Sequence, residues 1–197
     1  STRFPGKVLK EVNEISLIQI LLDRLSKSKK IDKIIIATTK KSEDNKLTEE
    51  VKKLGFDIFH GSENDVLDRY YNAAMKYQPK TIVRITGDCP IIDPYLVDDV
   101  IGLYQKTNND YISNTDPPTY PDGLDTEVFS FKALKVAHSK AKKSFEREHV
   151  TPFIRNNNQF KRMSYTNEIN LSQERWTIEE PEDFEVIENI IKHFSPN

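Results

Sequence analysis

Short, apolar, β-branched segments alternate along the first half of the chain with longer segments in which apolar residues recur at helical spacing. Polar residues or glycine bound the short segments, which is the pattern of buried strands. The predicted strands are residues 33–39, 56–61 and 81–88. The predicted helices are residues 15–28, 42–54, 64–77 and 94–106. Strands that alternate with helices of this length predict right-handed crossovers and a largely parallel sheet.

The second half of the chain follows the same pattern less regularly. Strands predicted at 110–113 and 126–130 flank a loop dense in Pro, Asp and Gly, "NTDPPTYPDGLD", and another strand is predicted at 161–166. Helices are predicted at residues 131–142, 145–156 and 181–194. Several glycines fall in loops that follow or connect strands, where α/β folds bind their ligands. These glycines are Gly6, Gly61, Gly87 and Gly123.

The chain of 197 residues is long enough for a single domain, residues 1–197, with a sizeable core. It begins with the loop-like segment "STRFPGK", which leads into a predicted helix. A crossover in an α/β sheet starts from a strand. We therefore expect a first strand to precede residue 1, with this segment as the loop after it.

The composition limits which binding partners and which cellular compartment we expect. The 29 Lys and Arg residues against 31 Asp and Glu residues give a formal charge of −2. This balance gives no reason to expect a nucleic acid or an anionic membrane as a partner, and no apolar run approaches the ~18–20 residues of a membrane helix. Cys89 is the only cysteine, which excludes an intramolecular disulfide and fits a reducing compartment. We expect a cytoplasmic protein.

The first loop combines cations, a hydroxyl group and a glycine. Backbone N–H groups made accessible by Gly6, together with Arg3 and Lys7, could surround a polyphosphate between a strand and a helix. The segment is not a Walker A motif, because G-x-x-x-x-G-K is absent. An ordinary solvated turn explains the same residues equally well, so the loop alone does not identify a site.

A carboxylate follows the third predicted strand, in the segment "RITGDCPIIDP". Asp88, at the carboxyl end of a strand, suits Mg²⁺, which takes one or two protein carboxylates together with substrate phosphate oxygens. The alternative is that Asp88 caps a turn or helix, a role that suits Asp93 better because it directly precedes Pro94. Cys89 has no histidine near it in sequence and is interpreted as a packed side chain.

Three further positions have both a functional and a structural interpretation. Glu179 ends a short apolar stretch and is a candidate second metal ligand, whereas the dipole of the next helix explains Asp183. Arg69 either contacts a nucleotide or pairs with Asp65 four residues earlier. His149 is a candidate substrate contact, although a lone histidine is more often structural.

Six segments carry a family resemblance, which covers nearly the whole chain. They are "STRFPGKVL", "GSENDVLDRYY", "VRITGDCPIIDP", "YPDGLDTEVFS", "REHVTPFIR" and "RWTIEEPED". In this order they resemble the cytidylyltransferases of the spore coat polysaccharide biosynthesis type, which are related to the acylneuraminate and Kdo cytidylyltransferases. The resemblance implies a three-layer α/β/α, Rossmann-like (GT-A-related) nucleotidyltransferase fold with a mostly parallel central sheet. It further implies a homodimer that transfers CMP from CTP to a sugar or sugar acid, with Mg²⁺ and with release of pyrophosphate.

Position by position, the resemblance assigns roles on the nucleotide side. Members normally begin with a strand that runs into "QARMGSTRLPGK", so the segment "STRFPGK" matches a triphosphate loop. The predicted catalytic residues are Arg3, Lys7 and Asp88. The predicted nucleotide-binding residues are Ser1, Arg3, Lys7, Thr38, Arg69 and Gly87. The predicted metal ligands are Asp88 and Glu179, the latter standing where relatives usually have an aspartate.

The acceptor side is less specific in the sequence. "YPDGLDTE" belongs to the spore-coat branch and does not match the sialic acid or Kdo acceptor motifs. The predicted substrate-binding residues are Asp122, Gly123, Asp125, Glu127 and His149. The acceptor itself stays open among a nonulosonic acid, another acidic sugar and a phosphorylated polyol.

Two other classes of function also fit the sequence. A domain of this fold could bind sugar nucleotides without turnover, and the Asp-to-Glu change at Glu179 favours this slightly. A GT-A glycosyltransferase is the other alternative, but such enzymes usually carry an Asp-x-Asp pair. In this chain "GDCP" supplies Asp88 alone at the expected strand end.

Overall fold

The computed structural model describes residues 4–194 of the chain. The strands in this range are β1 (Glu11–Val12), β2 (Ile15–Ser16), β3 (Ile35–Thr39), β4 (Asp57–Gly61), β5 (Thr81–Arg84), β6 (Tyr111–Ser113), β7 (Glu127–Ser130) and β8 (Arg162–Ser164). The α-helices are α1 (Leu17–Leu25), α2 (Asn45–Lys53), α3 (Val66–Tyr77), α4 (Pro94–Lys106), α5 (Phe131–Lys140), α6 (Ser144–His149), α7 (Pro152–Arg155) and α8 (Pro181–Phe194). Short 3-10 turns occupy Lys7–Leu9 and Ser42–Asp44.

The main strands pair in two groups. Strands β3 and β4 are parallel, with Ile35 opposite Asp57. A four-stranded sheet follows the order β5-β7-β6-β8, in which β6 and β8 are parallel and β7 is antiparallel to both of its neighbours. Because β5 and β6 both run opposite to β7, β5, β6 and β8 point in the same direction. The predicted parallel pairing is confirmed in β3–β4 and β6–β8, while the reversed direction of β7 was not predicted.

Alternation along the central strands creates two apolar layers. Ile112 and Val128 pack with residues of α1, α2 and α4 in one buried cluster. The adjacent residues Tyr111 and Phe129 face the other way and pack with α3, α5 and α7. Helices therefore cover both faces of the sheet, which confirms the α/β/α class predicted from the sequence. The described residues do not test the strand expected before residue 1, which stays a prediction.

Several predicted element boundaries differ from the structure. The helix predicted at 145–156 is divided into α6 and α7, because Val150 has a left-handed φ of 71° and Pro152 starts a new helix. The first helix begins at Leu17, capped by the side chain of Ser16, so Ile15 lies in β2 instead of on the helical face. Strand β5 ends at Arg84, and the residues up to Asp88 form a loop.

Gly123 fixes the long loop between β6 and β7 against the segment that leads to α8. Its φ is 111°, and a Cβ atom at this position would lie 2.5 Å from the carbonyl carbon and oxygen of Trp176. Two backbone hydrogen bonds flank this crossing: the Trp176 N–H donates to the Asp122 carbonyl (2.6 Å), and the Asp122 N–H donates to the Glu174 carbonyl (3.0 Å). The close approach of the two backbones requires a residue without a side chain.

We expect Gly123→Ala to destabilise the protein more than Gly55→Ala does. Gly55 also has a positive φ, 82°, but a Cβ added to it would meet nothing within 4 Å. Its substitution should cost only the left-handed conformation, about 1–2 kcal/mol. Gly123→Ala adds the collision with Trp176, at about 1–3 kcal/mol for overpacking. Urea unfolding of the two variants measures the difference, and equal losses would contradict the close packing.

Candidate active site

A lysine and an aspartate meet where the first loop touches the end of β5. Lys7 starts a 3-10 turn after Gly6, which has a left-handed φ of 69°. The Lys7 Nζ atom lies 3.2 Å from Asp88 Oδ2 and also donates a hydrogen bond to the carbonyl of Ile178. The two side chains are 12% and 27% exposed, so the pair is largely withdrawn from solvent. Two residues predicted to be catalytic are therefore in direct contact.

The backbone around Asp88 is fixed by the segment before α8. The Asp88 carbonyl accepts hydrogen bonds from the Ile178 N–H (2.9 Å) and the Thr177 hydroxyl (3.1 Å). Burial alone would raise the pKa of the Asp88 carboxyl, but the Thr86 hydroxyl and the Lys7 cation hold that pKa below its ordinary value. The carboxylate is therefore ionised at neutral pH, as a metal ligand or a phosphate-side residue must be.

Further carboxyl groups influence one another near Asp88. Burial, together with the charges of Asp122 and Glu127, raises the pKa of Asp125 to about 6. Burial also raises the pKa of Asp122; Arg175 opposes this rise, and Glu179 and Asp88 add to it. The structure thus brings the predicted acceptor residues Asp122 and Asp125 into the electrostatic field of Asp88.

Glu179 lies one residue beyond the Ile178 backbone that contacts Asp88. Its Oε2 is 3.4 Å from the Nη2 of Arg175, which also forms a two-pronged ion pair with Asp183 (2.9 and 3.0 Å). The Asp183 carboxylate accepts hydrogen bonds from the backbone N–H groups of Glu179 and Glu180. The ion pair with Arg175 and these hydrogen bonds lower the pKa of Asp183. The structural interpretation of Asp183 is therefore confirmed, because its carboxylate binds backbone N–H groups at the start of α8.

The donor set at Asp88 fits Mg²⁺ bound together with a nucleotide. Within residues 4–194, no three His, Cys, Asp or Glu side chains form a group that could hold a metal ion. Mg²⁺ does not need such a group, since it usually takes one or two carboxylates and completes its shell with water and substrate phosphates. Asp88 is ionised and Glu179 stands on the adjoining segment, so these two residues suit that role.

Thr38 and Arg69, predicted nucleotide contacts, lie near the ends of β3 and β4. The Thr38 hydroxyl donates to Asp44 Oδ2 (2.7 Å), which also accepts the Thr39 N–H (3.0 Å). The Arg69 guanidinium donates to the Ser62 carbonyl (2.7 Å). The alternative pairing of Arg69 with Asp65 is wrong.

That alternative fails because another arginine occupies the Asp65 carboxylate. The Nε atom of Arg147, in α6, donates to both oxygens of Asp65, at 3.0 and 2.9 Å. Asp65 also caps α3 by accepting the Asp68 N–H (2.9 Å). Arg69 instead contacts Gly61 through its stem: a Cβ at Gly61 would lie 2.6 Å from the Arg69 Cγ.

Glu127, a predicted acceptor residue, is 4% exposed and lies inside a polar network. Its carboxylate forms an ion pair with Arg84 and accepts hydrogen bonds from the Tyr111 hydroxyl (2.7 Å) and the Thr151 hydroxyl (2.6 Å). The network joins β5, β7 and β6 at the start of β7, two residues after Asp125. Sequence analysis missed Arg84, although a charged residue inside an apolar strand is a signal of a buried ion pair.

The remaining predicted residues are placed as follows. His149 is exposed at the end of α6, where its ring contacts Phe145. At Gly87 an added Cβ would lie 3.6 Å from the Val8 side chain, an ordinary contact distance. Asp93 caps α4 through the Tyr95 and Leu96 N–H groups, as expected, and Cys89 is buried. Ser1 and Arg3 lie outside the described residues.

Comparison with known proteins identifies the family. A sequence model described as cytidylyltransferase matches residues 1–193. The chain belongs to the cytidylyltransferase family. It is 44% identical to an uncharacterized protein of Methanocaldococcus jannaschii over 98% of this chain and 80% of that protein. It is 35% identical to the spore coat polysaccharide biosynthesis protein SpsF of Bacillus subtilis over 95% of this chain and 80% of that protein, so the resemblance noted in the sequence is confirmed.

Solved structures of cytidylyltransferases share the fold. A cytidylyltransferase from Leptospira borgpetersenii superposes with a TM-score of 0.95 at 35% identity, covering 98% of this chain and 83% of that one. A CMP:2-keto-3-deoxy-manno-octonic acid synthetase complexed with CTP superposes with a TM-score of 0.75 at 13% identity, covering 98% and 95%, which shows a common fold. In the described part of this cytidylyltransferase, none of the helices combines the length and apolar character needed to cross a membrane.

Asp125→Asn is expected to stabilise the protein at pH 7.5 in the absence of divalent cations. The folded protein raises the pKa of Asp125 from 3.8 to about 6, so ionisation of this carboxyl costs stability as the pH rises through that range. Asparagine removes the cost, which is at most about 1.4 kcal/mol per pKa unit. Thermal unfolding should show a gain of several degrees at pH 7.5 and almost none at pH 4. A gain of equal size at both pH values would contradict the raised pKa.

Proposed function

We propose that this cytidylyltransferase transfers the CMP moiety of CTP to a hydroxyl group of a sugar or a sugar acid and releases pyrophosphate. Family membership supports the reaction class, and the relatives named for spore coat polysaccharide biosynthesis and for a CMP-linked sugar acid support the acceptor class. At the level of residues, the proposal is carried by the contact between Lys7 and Asp88 at the carboxyl end of β5. A cation and an ionised carboxylate side by side suit the two partners of a metal–triphosphate complex.

In the proposed reaction the acceptor oxygen attacks the α-phosphorus of CTP in line with the leaving group. A new phosphorus–oxygen bond forms, the bond to the β-phosphate oxygen breaks, and pyrophosphate leaves with the electron pair. Lys7, with Arg3 four residues earlier in the sequence, balances the negative charge that builds on pyrophosphate. Ser1 and Gly87 contribute to the same phosphate-binding surface, and Thr38 and Arg69 to the nucleotide-binding surface, in this proposal.

Asp88 and Glu179 would hold Mg²⁺ beside the phosphates. When bound, the cation would neutralise phosphate charge and favour attack at the α-phosphorus. The protein prepares for this by keeping Asp88 ionised through Thr86 and Lys7. The hydrogen bonds from Thr177 and Ile178 to the Asp88 carbonyl fix the backbone that carries the carboxylate before substrate binds.

The acceptor lies, in our proposal, against the loop that carries Asp122, Gly123 and Asp125. The proton of the acceptor hydroxyl passes to Asp125, because a carboxylate with a pKa of about 6 is a stronger base than an ordinary aspartate and is still ionised at pH 7. Glu127, held by Arg84 and Tyr111, positions the end of this loop. His149 is proposed as a contact with the distal part of the acceptor.

The resemblance also supports a homodimer in the cytoplasm, which we keep as a proposal. Light scattering coupled to size exclusion measures the mass in solution directly. A mass of twice 22.9 kDa supports the dimer, and a mass of one chain contradicts it.

Thermal shifts with the four ribonucleoside triphosphates test the nucleotide part of the proposal. CTP with Mg²⁺ should raise the melting temperature, because a ligand at 100 times its Kd stabilises the folded state by about 2.7 kcal/mol. The other three triphosphates, and CTP with EDTA, should give much smaller shifts. Equal shifts with all four triphosphates would contradict a preference for cytosine, and no shift at all would contradict a nucleotide site.

Asp88→Asn should lower the rate of pyrophosphate release from CTP and a productive acceptor at least 100-fold. Asparagine retains the size of the side chain but loses the charge that the metal and Lys7 require. Asp93→Asn is the matched control, since it removes the same charge five residues later while asparagine remains a good helix cap. Retention of activity in Asp88→Asn, or an equal loss in Asp93→Asn, would contradict the metal assignment.

A further inference from the structure

A polar cavity of about 230 Å³ lies over β6 and β8 beside α7. The strand register pairs Tyr111 with Arg162 and Ser113 with Ser164, so these side chains share one face of the sheet. Arg155 is the last residue of α7, and Asp116 follows β6; both complete the polar lining. We call this cavity the arginine pocket.

The guanidinium group of Arg155 has no hydrogen bond or ion pair within the described part of the chain. Its Nε atom is buried and without a partner. The Nε atoms of Arg69 and Arg84 share this property, but those two guanidinium groups donate elsewhere, to the Ser62 carbonyl and the Glu127 carboxylate. Arginine is charged at every accessible pH, so a buried Nε–H group without an acceptor is costly unless a ligand supplies one.

The arginine pocket has an excess of positive charge. Arg162 is exposed, and the one hydrogen bond of its side chain in the described residues is a long contact of 3.4 Å to Asn158. Asp116 is the only carboxylate in the lining, and it forms no ion pair with either arginine in the described chain. Two cations against one carboxylate leave a formal charge of +1 inside the cavity.

The chemistry and the size of the pocket indicate its ligand. A guanidinium group presents parallel N–H donors that match the oxygens of a carboxylate or a phosphate. A volume of about 230 Å³ is below the usual ~300–1,000 Å³ of sites that enclose a whole small molecule. The pocket therefore fits one anionic group and the carbon atoms next to it.

The position of the pocket relates this anionic group to the reaction. In the sheet order β5-β7-β6-β8, neighbouring strands are about 4.8 Å apart, so β6 and β8 lie roughly 10–14 Å across the sheet from β5, the strand that leads to Asp88. The carboxylate of Glu127 joins the two regions, because it contacts Arg84 on β5 and Tyr111 in the pocket wall. A substrate on the order of 10 Å long spans this distance.

We infer that the arginine pocket binds the anionic group, a carboxylate or a phosphate, of the acceptor that receives the CMP moiety. Arg155 and Arg162 are the two residues that recognise this group, and they determine specificity at a distance from the reacting hydroxyl. The inference rests on the proposed function for its assignment to the acceptor, whereas the binding of an anion in the pocket does not depend on it.

The test follows arginine side-chain Nε–H signals by NMR while the full chain is titrated with three hexose probes. D-glucuronate carries a carboxylate, D-glucose 6-phosphate carries a phosphate, and D-glucose carries neither. At least one of the two anions should shift the signals of Arg155 and Arg162, and glucose should not. The anion that binds more tightly identifies the group. Absence of a shift with both anions would overturn the inference.

Arg162→Gln supplies the decisive variant, because Arg162 is exposed and we expect its replacement to leave the fold intact. It should weaken binding of the preferred anion at least 10-fold. Lys161→Gln is the matched control: it removes the same charge one residue earlier, from a side chain outside the pocket lining. Equal weakening in both variants would show a general charge effect and overturn the inference. Arg155→Lys, which keeps the charge but loses the Nε–H group, should weaken binding as well.

CTP binding in the same samples separates this inference from the proposed function. If CTP with Mg²⁺ binds equally well to the parent chain and to Arg162→Gln, while neither anion reaches the pocket, the nucleotide function stands and the pocket inference fails. If the anions bind at Arg155 but CTP does not bind, the pocket loses its acceptor and the proposed function fails with it. Anion binding that leaves CTP affinity unchanged in Arg162→Gln supports both.

Discussion

The ammonium group of Lys7 holds together three segments that are far apart in the sequence. It contacts the Asp88 carboxylate after β5 and the Ile178 carbonyl before α8. Because Ile178 and Thr177 bond in turn to the Asp88 carbonyl, the first loop, the β5 loop and the approach to α8 form one connected unit. Removal of the lysine would leave a partly buried carboxylate without its cation, which is more costly than the pair itself. Catalytic and structural roles therefore coincide at this residue in the function we propose.

A second ion pair, between Glu127 and Arg84, lies two residues along the chain from the proposed acceptor residue Asp125. Glu127 binds Arg84, Tyr111 and Thr151 from three different elements, and its burial is tolerated because each of its oxygens has a partner. The Lys7–Asp88 and Arg84–Glu127 pairs differ in how accessible their carboxylates are to a ligand. Glu127 is enclosed by protein groups, whereas the Asp88 side chain keeps partial access to solvent, with 27% exposure, and has a lysine that a triphosphate can also use. We attribute this difference to their roles, with Glu127 positioning the loop and Asp88 meeting the substrate.

The elements with local signals were predictable from the sequence. Apolar periodicity identified strands β3 to β8 and most helices but missed the two-residue strands β1 and β2. The order of strand, glycine and aspartate identified Asp88 as a candidate. Asp93 was identified as a helix cap, since the following proline is a local signal. The separation of α6 from α7 was missed because helical periodicity continues across Val150, whose positive φ has no local signal. Pro152 is such a signal, since a helix usually ends before a proline. Other features depend on contacts between distant segments, such as the direction of β7 and the pairing of Asp65 with Arg147, 82 positions apart.

The contact of Gly123 with Trp176 limits how the loop between β6 and β7 can move when a substrate binds or a product leaves. The loop between β6 and β7 is fastened there and again at Asn114, whose side chain bonds to the Leu124 carbonyl and the Thr126 N–H. A loop held at both places cannot move away as a rigid unit without breaking these hydrogen bonds. Opening of the site is therefore expected from other segments, and the hydrogen-bonded backbone N–H groups of Asp122, Leu124 and Thr126 should exchange slowly with deuterium.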